Sequence, residues 1–149
     1  MTPQHIQLIR SSFALVSPIA PAVASLFYEQ LFIADPSLRR LFKTDIQGQG
    51  ARLMDMIGVA VGLLDRPQTL LPVLRQLGTR HVDYGVQVAH YAIVGRALIN
   101  TLQLGLGDAF DSDTRAAWLA MYALVSATMI EGACEAVPAQ RVRCALPAS

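Results

Sequence analysis

Charged side chains are scarce in this sequence. They make up 15% of its 149 residues, against about 25% in an average soluble domain. What charge there is balances, with 12 Lys and Arg against 11 Asp and Glu and a net of +1. That balance lacks the basic footprint of a nucleic-acid-binding protein. Cysteine is nearly absent too. Cys134 and Cys144 are the only two, too few for a disulfide framework and not spaced as a zinc site, so free thiols are expected. Long apolar runs are also missing. The longest uncharged stretch, Ser11 to Tyr28, holds Pro18, Pro21 and four serines. Ala116 to Ile130 is too short to span a bilayer. The start, Met1-Thr2-Pro3-Gln4-His5, has no basic region or apolar segment of a signal peptide. A cytoplasmic protein without membrane insertion is the expectation.

Hydrophobic residues, by contrast, reach 53%. Disorder is excluded, because such a chain buries a core with ease. A chain of this length fits one domain, expected over residues 1–137, with a short frayed tail over 138–149. The apolar excess implies that a large apolar ligand shares the core or that a partner chain covers it. A homodimer therefore stays open.

Alternation of period two is absent, and helical periodicity runs throughout. Thr2 and Pro3 form a helix start, followed by a stripe of Ile6, Ile9, Phe13 and Val16. A second helix carries Val23, Phe27 and Leu31 to about Ala34. Asp35-Pro36 opens a short third helix, Ser37 to Phe42, and Lys43 to about Gln47 is a loop. Further helices are predicted from about Gly48 to Leu64, from Thr69 through Pro72 to Thr79 and His81, from Val88 to Leu106, and from Ser112 to Val137. The class is all-α, with six to seven helices. The last two, joined by a short turn at Gly107 and Asp111, are expected to pack as an antiparallel pair. The shorter, proline-broken helices before them suit steep crossings around a cavity rather than a four-helix bundle.

Three histidines are present. His5 is expected to be solvated and His90 to cap a helix or face solvent. His81 ends an amphipathic helix, one turn after Leu77. A lone histidine on an apolar face is more often a satisfied core residue than a ligand. Its surroundings sharpen the alternative. Tyr28 follows Phe27 inside an apolar helix, and a buried phenol needs a partner. Gln49 heads a stripe of Leu53, Ile57 and Val61. All of these could be core, or they could line a cavity with one nitrogen ligand on one wall and two hydrogen-bonding groups on the other.

Three segments carry a resemblance. Leu26-Phe27-Tyr28-Glu29-Gln30-Leu31-Phe32, then Asp35-Pro36 and Leu41-Phe42, is similar to the second and third helices of bacterial globins. Leu77-Gly78-Thr79-Arg80-His81, followed by His90-Tyr91-Ala92-Ile93-Val94-Gly95, resembles the proximal side of flavohaemoglobins and their single-domain relatives. Ala117-Trp118 with Tyr122 resembles their last helix. The likeness spans about residues 3 to 132.

It implies a globin fold around a haem pocket, haem b as cofactor, and His81 as the proximal ligand to iron. Phe42 would stack on the porphyrin, with Leu53, Ile57, Leu77, Val86, Tyr91 and Val94 as further contacts. Arg80 would pair with a propionate or stay solvated. Tyr28 and Gln49 match the distal polar pair, with Gln49 preferred to Gln47 on ungapped spacing. The implied ligands are dioxygen, nitric oxide and carbon monoxide. The implied activities are reversible oxygen binding and, in the presence of nitric oxide, its conversion to nitrate. Storage or delivery of oxygen without turnover, and a haem-free sensor or interaction module, are the alternatives. One departure stands out. The family's proximal glutamate falls on Ala133, and Glu131 lies two positions away, roughly 200° around the helix. Glycine pairs at Gly48-Gln49-Gly50 and Gly105-Leu106-Gly107 lack a βαβ context and are not dinucleotide sites. Turnover of nitric oxide would need a reductase in trans.

Overall fold

The computed structural model describes residues 1–42 and 46–136. Within them run six α-helices: α1 (Pro3–Val16), α2 (Ala20–Ala34), α3 (Ile46–Gly62), α4 (Pro67–Asp83), α5 (Val88–Leu106) and α6 (Ser112–Ala136). Short 3-10 turns at Ser17–Ile19, Pro36–Leu41 and Gly107–Ala109 connect some of them, and no strand occurs among the described residues. The all-α class is as expected. Much of the loop after Phe42, the tail from residue 138 and Cys144 lie outside the described residues.

The helix ends follow local chemistry. Thr2 Oγ1 accepts the His5 amide at 3.1 Å, and Pro3 opens α1. Asp111 Oδ1 accepts the Thr114 amide at 2.8 Å and starts α6. The Gln87 amide donates to His90 Nδ1 at 3.0 Å in a reciprocal capping box that starts α5. Gly85 after α4 and Gly107 after α5 have φ of +88° and +56°, where a side chain is strained. The expected third helix is a 3-10 turn instead. Asp35 Oδ1 accepts the Ser37 amide and hydroxyl at 3.0 and 2.6 Å, and this tight start propagates for only six residues. Pro72 lies inside α4 without ending it.

The last two helices meet, with the Tyr122 ring against Gly95, but they are not each other's main partners. The main partners of α6 are α4 and α1, while α5 packs chiefly on α2. Glycine decides this. A Cβ on Gly78 would lie 1.9 Å from the Met129 carbonyl oxygen, and one on Gly132 would lie 2.0 Å from that of Arg75. The main chains of α4 and α6 therefore touch twice, and Thr79 Oγ1 donates across to the Gly132 carbonyl at 3.0 Å. Arg10 ties α1 to the end of α3. It donates to the carbonyls of Val61 and Gly62 at 3.2 and 3.1 Å and to Asp65 at 3.0 Å.

Trp118 joins α6 to α1. Its indole N–H donates to Ser12 Oγ at 2.8 Å inside the core, and Ser12 Oγ donates to the Leu8 carbonyl at 2.8 Å. Ser12→Ala leaves that N–H buried without an acceptor. The expected loss is about 1–3 kcal/mol, read as a lower urea midpoint with unchanged slope. An unmoved midpoint would show that the link carries no stability.

Two stretches, Pro3–Ala34 and Ser112–Ala136, are long and apolar enough to cross a membrane by length and composition. In α6 that apolar content includes Ala117, Trp118, Met121 and Met129, all in the core. Cys134 is buried in α6, and the other cysteine lies outside the described residues. One expectation is corrected. His5 is half-buried rather than solvated, and its Nδ1 is sealed with no partner among the described residues.

Candidate functional site

His81 lies in the last turn of α4. Its Nδ1 is 2.7 Å from the Leu77 carbonyl, one turn back. A carbonyl can only accept, so Nδ1 carries the proton and Nε2 keeps its lone pair. Burial lowers the His81 pKa, which the Leu77 bond partly offsets, and the imidazole is held neutral. That is the protonation state and tautomer of a metal-binding histidine. No group of three or more His, Cys, Asp or Glu that could hold a metal exists among the described residues. A metal at His81 must therefore bring other ligands with it.

Tyr28 comes from the buried face of α2 and is 5% exposed. Burial pushes its pKa up to about 12, with Arg52 opposing, so the phenol is a neutral donor at working pH. Its hydroxyl has no hydrogen-bond partner among the described residues. Its ring meets Phe42 edge-on at 5.2 Å and Phe32 in a stack at 6.1 Å. Helix α3 crosses α2 at Gly50, where a Cβ would lie 2.9 Å from Ala24 Cβ and 3.6 Å from the Tyr28 ring. Gln49, the residue before, is half-buried, and Gln47 is exposed.

The remaining candidates divide between two apolar clusters. Tyr28, Phe42, Leu53 and Val94 belong to one. Ile57, Leu77, Val86 and Tyr91 belong to the other, and Leu98 is common to both. Phe42, Leu53, Ile57, Leu77, Val86 and Val94 are each only half-buried. Partly open apolar side chains on two clusters, with a neutral imidazole and a buried phenol, suit a flat apolar group that carries its own metal. Arg80, beside His81, is exposed. Sequence reasoning does not single out Phe32, Ile93 or Gly50. Ile93 sits one turn before the buried Ala97 on α5, a signal that was present. The role of Gly50 is invisible without knowing which helix it crosses.

Of the tyrosine and glutamate that the resemblance sets near His81, only the tyrosine, Tyr91, is buried. Tyr91 is 8% exposed, and its hydroxyl is sealed without a partner among the described residues. Burial pushes its pKa up to about 12. Glu131 points away to solvent and lies 3.9 Å from Arg75. Ala133 is buried. The question left by the spacing is thereby answered: Glu131 stays on the surface.

A six-helix all-α domain built on this neutral histidine and distal phenol has the organisation of a globin. The globin family model matches residues 25–129, and the chain belongs to the globin family. Among curated relatives, the flavohemoprotein of Vibrio cholerae is 28% identical over 134 residues, covering 88% of this chain and 34% of that protein. The chain thus spans about a third of the flavohemoproteins it matches. Neuroglobin of Danio rerio is 32% identical over 139 residues, covering 84% of this chain and 87% of that one. Among solved structures, a hexacoordinated heme protein from an anhydrobiotic tardigrade superposes with a TM-score of 0.81 at 19% identity, covering 89% and 95% of the two chains. That last likeness concerns the fold.

Proposed function

We propose that this globin binds haem b through His81 and binds dioxygen reversibly on the side of Tyr28 and Gln49. The observation that carries the reading is the His81–Leu77 bond, which leaves a half-buried neutral imidazole with the Nε2 lone pair free for a metal. Phe42, Leu53, Ile57, Leu77, Val86 and Val94 would supply the apolar walls, with Tyr91 behind His81. Arg80 is the cation available to a propionate. When bound, the haem supplies an iron that takes up a diatomic gas and exchanges one electron. Dioxygen is the principal ligand of the proposal, and carbon monoxide and nitric oxide share the site.

The chain's own residues do the rest. The Tyr28 hydroxyl, held neutral by burial and without a partner among the described residues, would donate a hydrogen bond to a gas bound on that side. Gln49 adds a side-chain amide that stays neutral at every relevant pH. A neutral donor in such a site adds about 1–1.5 kcal/mol, near tenfold in affinity. Tyr28→Phe is therefore expected to release oxygen about tenfold faster in a stopped-flow displacement by carbon monoxide. An unchanged rate would remove Tyr28 from the mechanism.

Conversion of nitric oxide extends the same reading. Nitric oxide, dioxygen and one electron sum to nitrate, with no leaving group. The electron would come from a reductase, proposed here as a partner in trans, which we place with this globin in the cytoplasm. Oxygen storage or delivery without turnover has one observation in its favour. Glu131 is engaged at the surface by Arg75, so it does not raise the basicity of His81. Nitrate formation with a supplied reductant separates the two readings.

A further inference from the structure

A groove of about 530 Å³ runs along the outer face where α5 meets α6, and Tyr91 is the one lining residue it shares with the proposed function. Its floor is fixed by close packing. A Cβ on Gly95 would fall 2.4 Å from the Tyr122 ring, so only glycine lets that ring lie against α5. The Tyr122 hydroxyl donates to the Tyr91 carbonyl at 2.5 Å and is already satisfied.

The contact of Gly95 with Tyr122 also sets the register. The two helices run back on each other across a short turn, so residues after Gly95 lie opposite residues before Tyr122. On that register Asn100 and Arg115, with Ile99 and Leu119, lie toward one end, Arg96 lies near the middle, and Val88, Ala92 and Ile130 lie toward the other end. No acidic residue lines the groove, and neither arginine forms an ion pair among the described residues. Val88 and Leu119, on its walls, are 38% and 43% exposed, high for apolar side chains.

We infer that this groove binds an amphipathic organic anion of the long-chain carboxylate class. The head lies on Arg96 and Arg115, whose planar guanidinium groups match a carboxylate. The hydrocarbon lies along Val88, Ala92 and Ile130. Val88 to Asn100 spans about 18 Å at the helical rise, the scale of an extended acyl chain. The volume falls in the range of small-ligand sites, roughly 300–1,000 Å³. A second copy of this chain is the poorer occupant. Pairing two such faces sets arginine against arginine with no lining acid to answer them.

The test is a titration of the protein as purified with sodium dodecanoate, followed by calorimetry and by amide chemical shifts. The expected result is one dodecanoate per chain, with shifts confined to 88–100 and 115–130. Affinity is expected to fall at least about tenfold in Arg96→Gln/Arg115→Gln. Affinity for uncharged dodecanol is expected to be equally low. Both arginines are exposed, so the double variant keeps its fold, which its helical circular dichroism verifies. Equal affinity in the double variant, no binding up to millimolar dodecanoate, or shifts centred on Tyr28 and His81 would overturn the inference. So would a concentration-dependent dimer that Leu119→Arg dissociates and that dodecanoate leaves intact.

Discussion

His81→Ala protein is expected to fold with the same helix content and to lose its haem on gel filtration. The residue is only half-buried and makes no cross-helix hydrogen bond, since its Nδ1 partner, Leu77, belongs to the same helix. Its removal therefore costs little packing. It takes away the imidazole nitrogen on which the proposed haem binding rests. Loss of a mere outer partner of a metal ligand costs about 10–100-fold in affinity, so loss of the ligand itself costs at least about a hundredfold. Added imidazole restores part of the binding, because it returns the same donor to the space left by the side chain. Haem titration followed in the visible spectrum checks both statements. Retention of haem by His81→Ala, with an unchanged carbon monoxide spectrum, would assign the ligand elsewhere.

The second large effect lies at the crossing of α4 and α6. Gly78→Ala would bring a methyl group to 1.9 Å from the Met129 carbonyl oxygen, and Gly132→Ala would bring one to 2.0 Å from the Arg75 carbonyl oxygen. The atom in the way is main chain in both cases, so no side chain can swing aside. The helices must separate, at about 3 kcal/mol for each change. For a domain of this size that lowers the melting temperature by about 6–12 °C. Gly105→Ala is the control. Nothing lies within 4 Å of its added Cβ, and the change from glycine to alanine in a helix gains roughly 0.5–1 kcal/mol. Gly78 is three residues before His81, so its variant also weakens haem retention, whereas Gly105→Ala does not. Equal melting temperatures for the Gly78 and Gly105 variants would mean that the two main chains do not approach as described.

The helices themselves were legible because their signals are local. Val88–Leu106 follows from periodicity bounded by Gly107, and α1 from Thr2 and Pro3. The departure at Pro36–Leu41 is local as well: six residues cannot show whether the turn tightens into 3-10 geometry. Helix pairing was legible only in part. Adjacency suggested α5 for α6, and the two do meet at Gly95 and Tyr122, yet the two glycines that seat α6 on α4 look in the sequence like any helix-weakening glycine. Their meaning depends on which main chain they meet. The candidate site was readable on its polar members. His81, Tyr28 and Gln49 are isolated polar residues on apolar stripes, and such residues need a reason. The resemblance put the family's proximal glutamate at Ala133, which is buried, and left Glu131 open; Glu131 is on the surface beside Arg75. What spacing could not supply was the tautomer of His81, which rests on a carbonyl one turn back.

The claim at the centre of this account is that the chain takes up haem on His81 and leaves the face toward Tyr28 open to a gas. The most direct measurement is a haem titration of the purified protein, read as visible spectra of the ferric, dithionite-reduced and carbon monoxide forms. The account predicts saturation at one haem per chain and a Soret band that shifts on reduction and shifts again with carbon monoxide. A helical, folded protein that shows no saturable Soret band would contradict it.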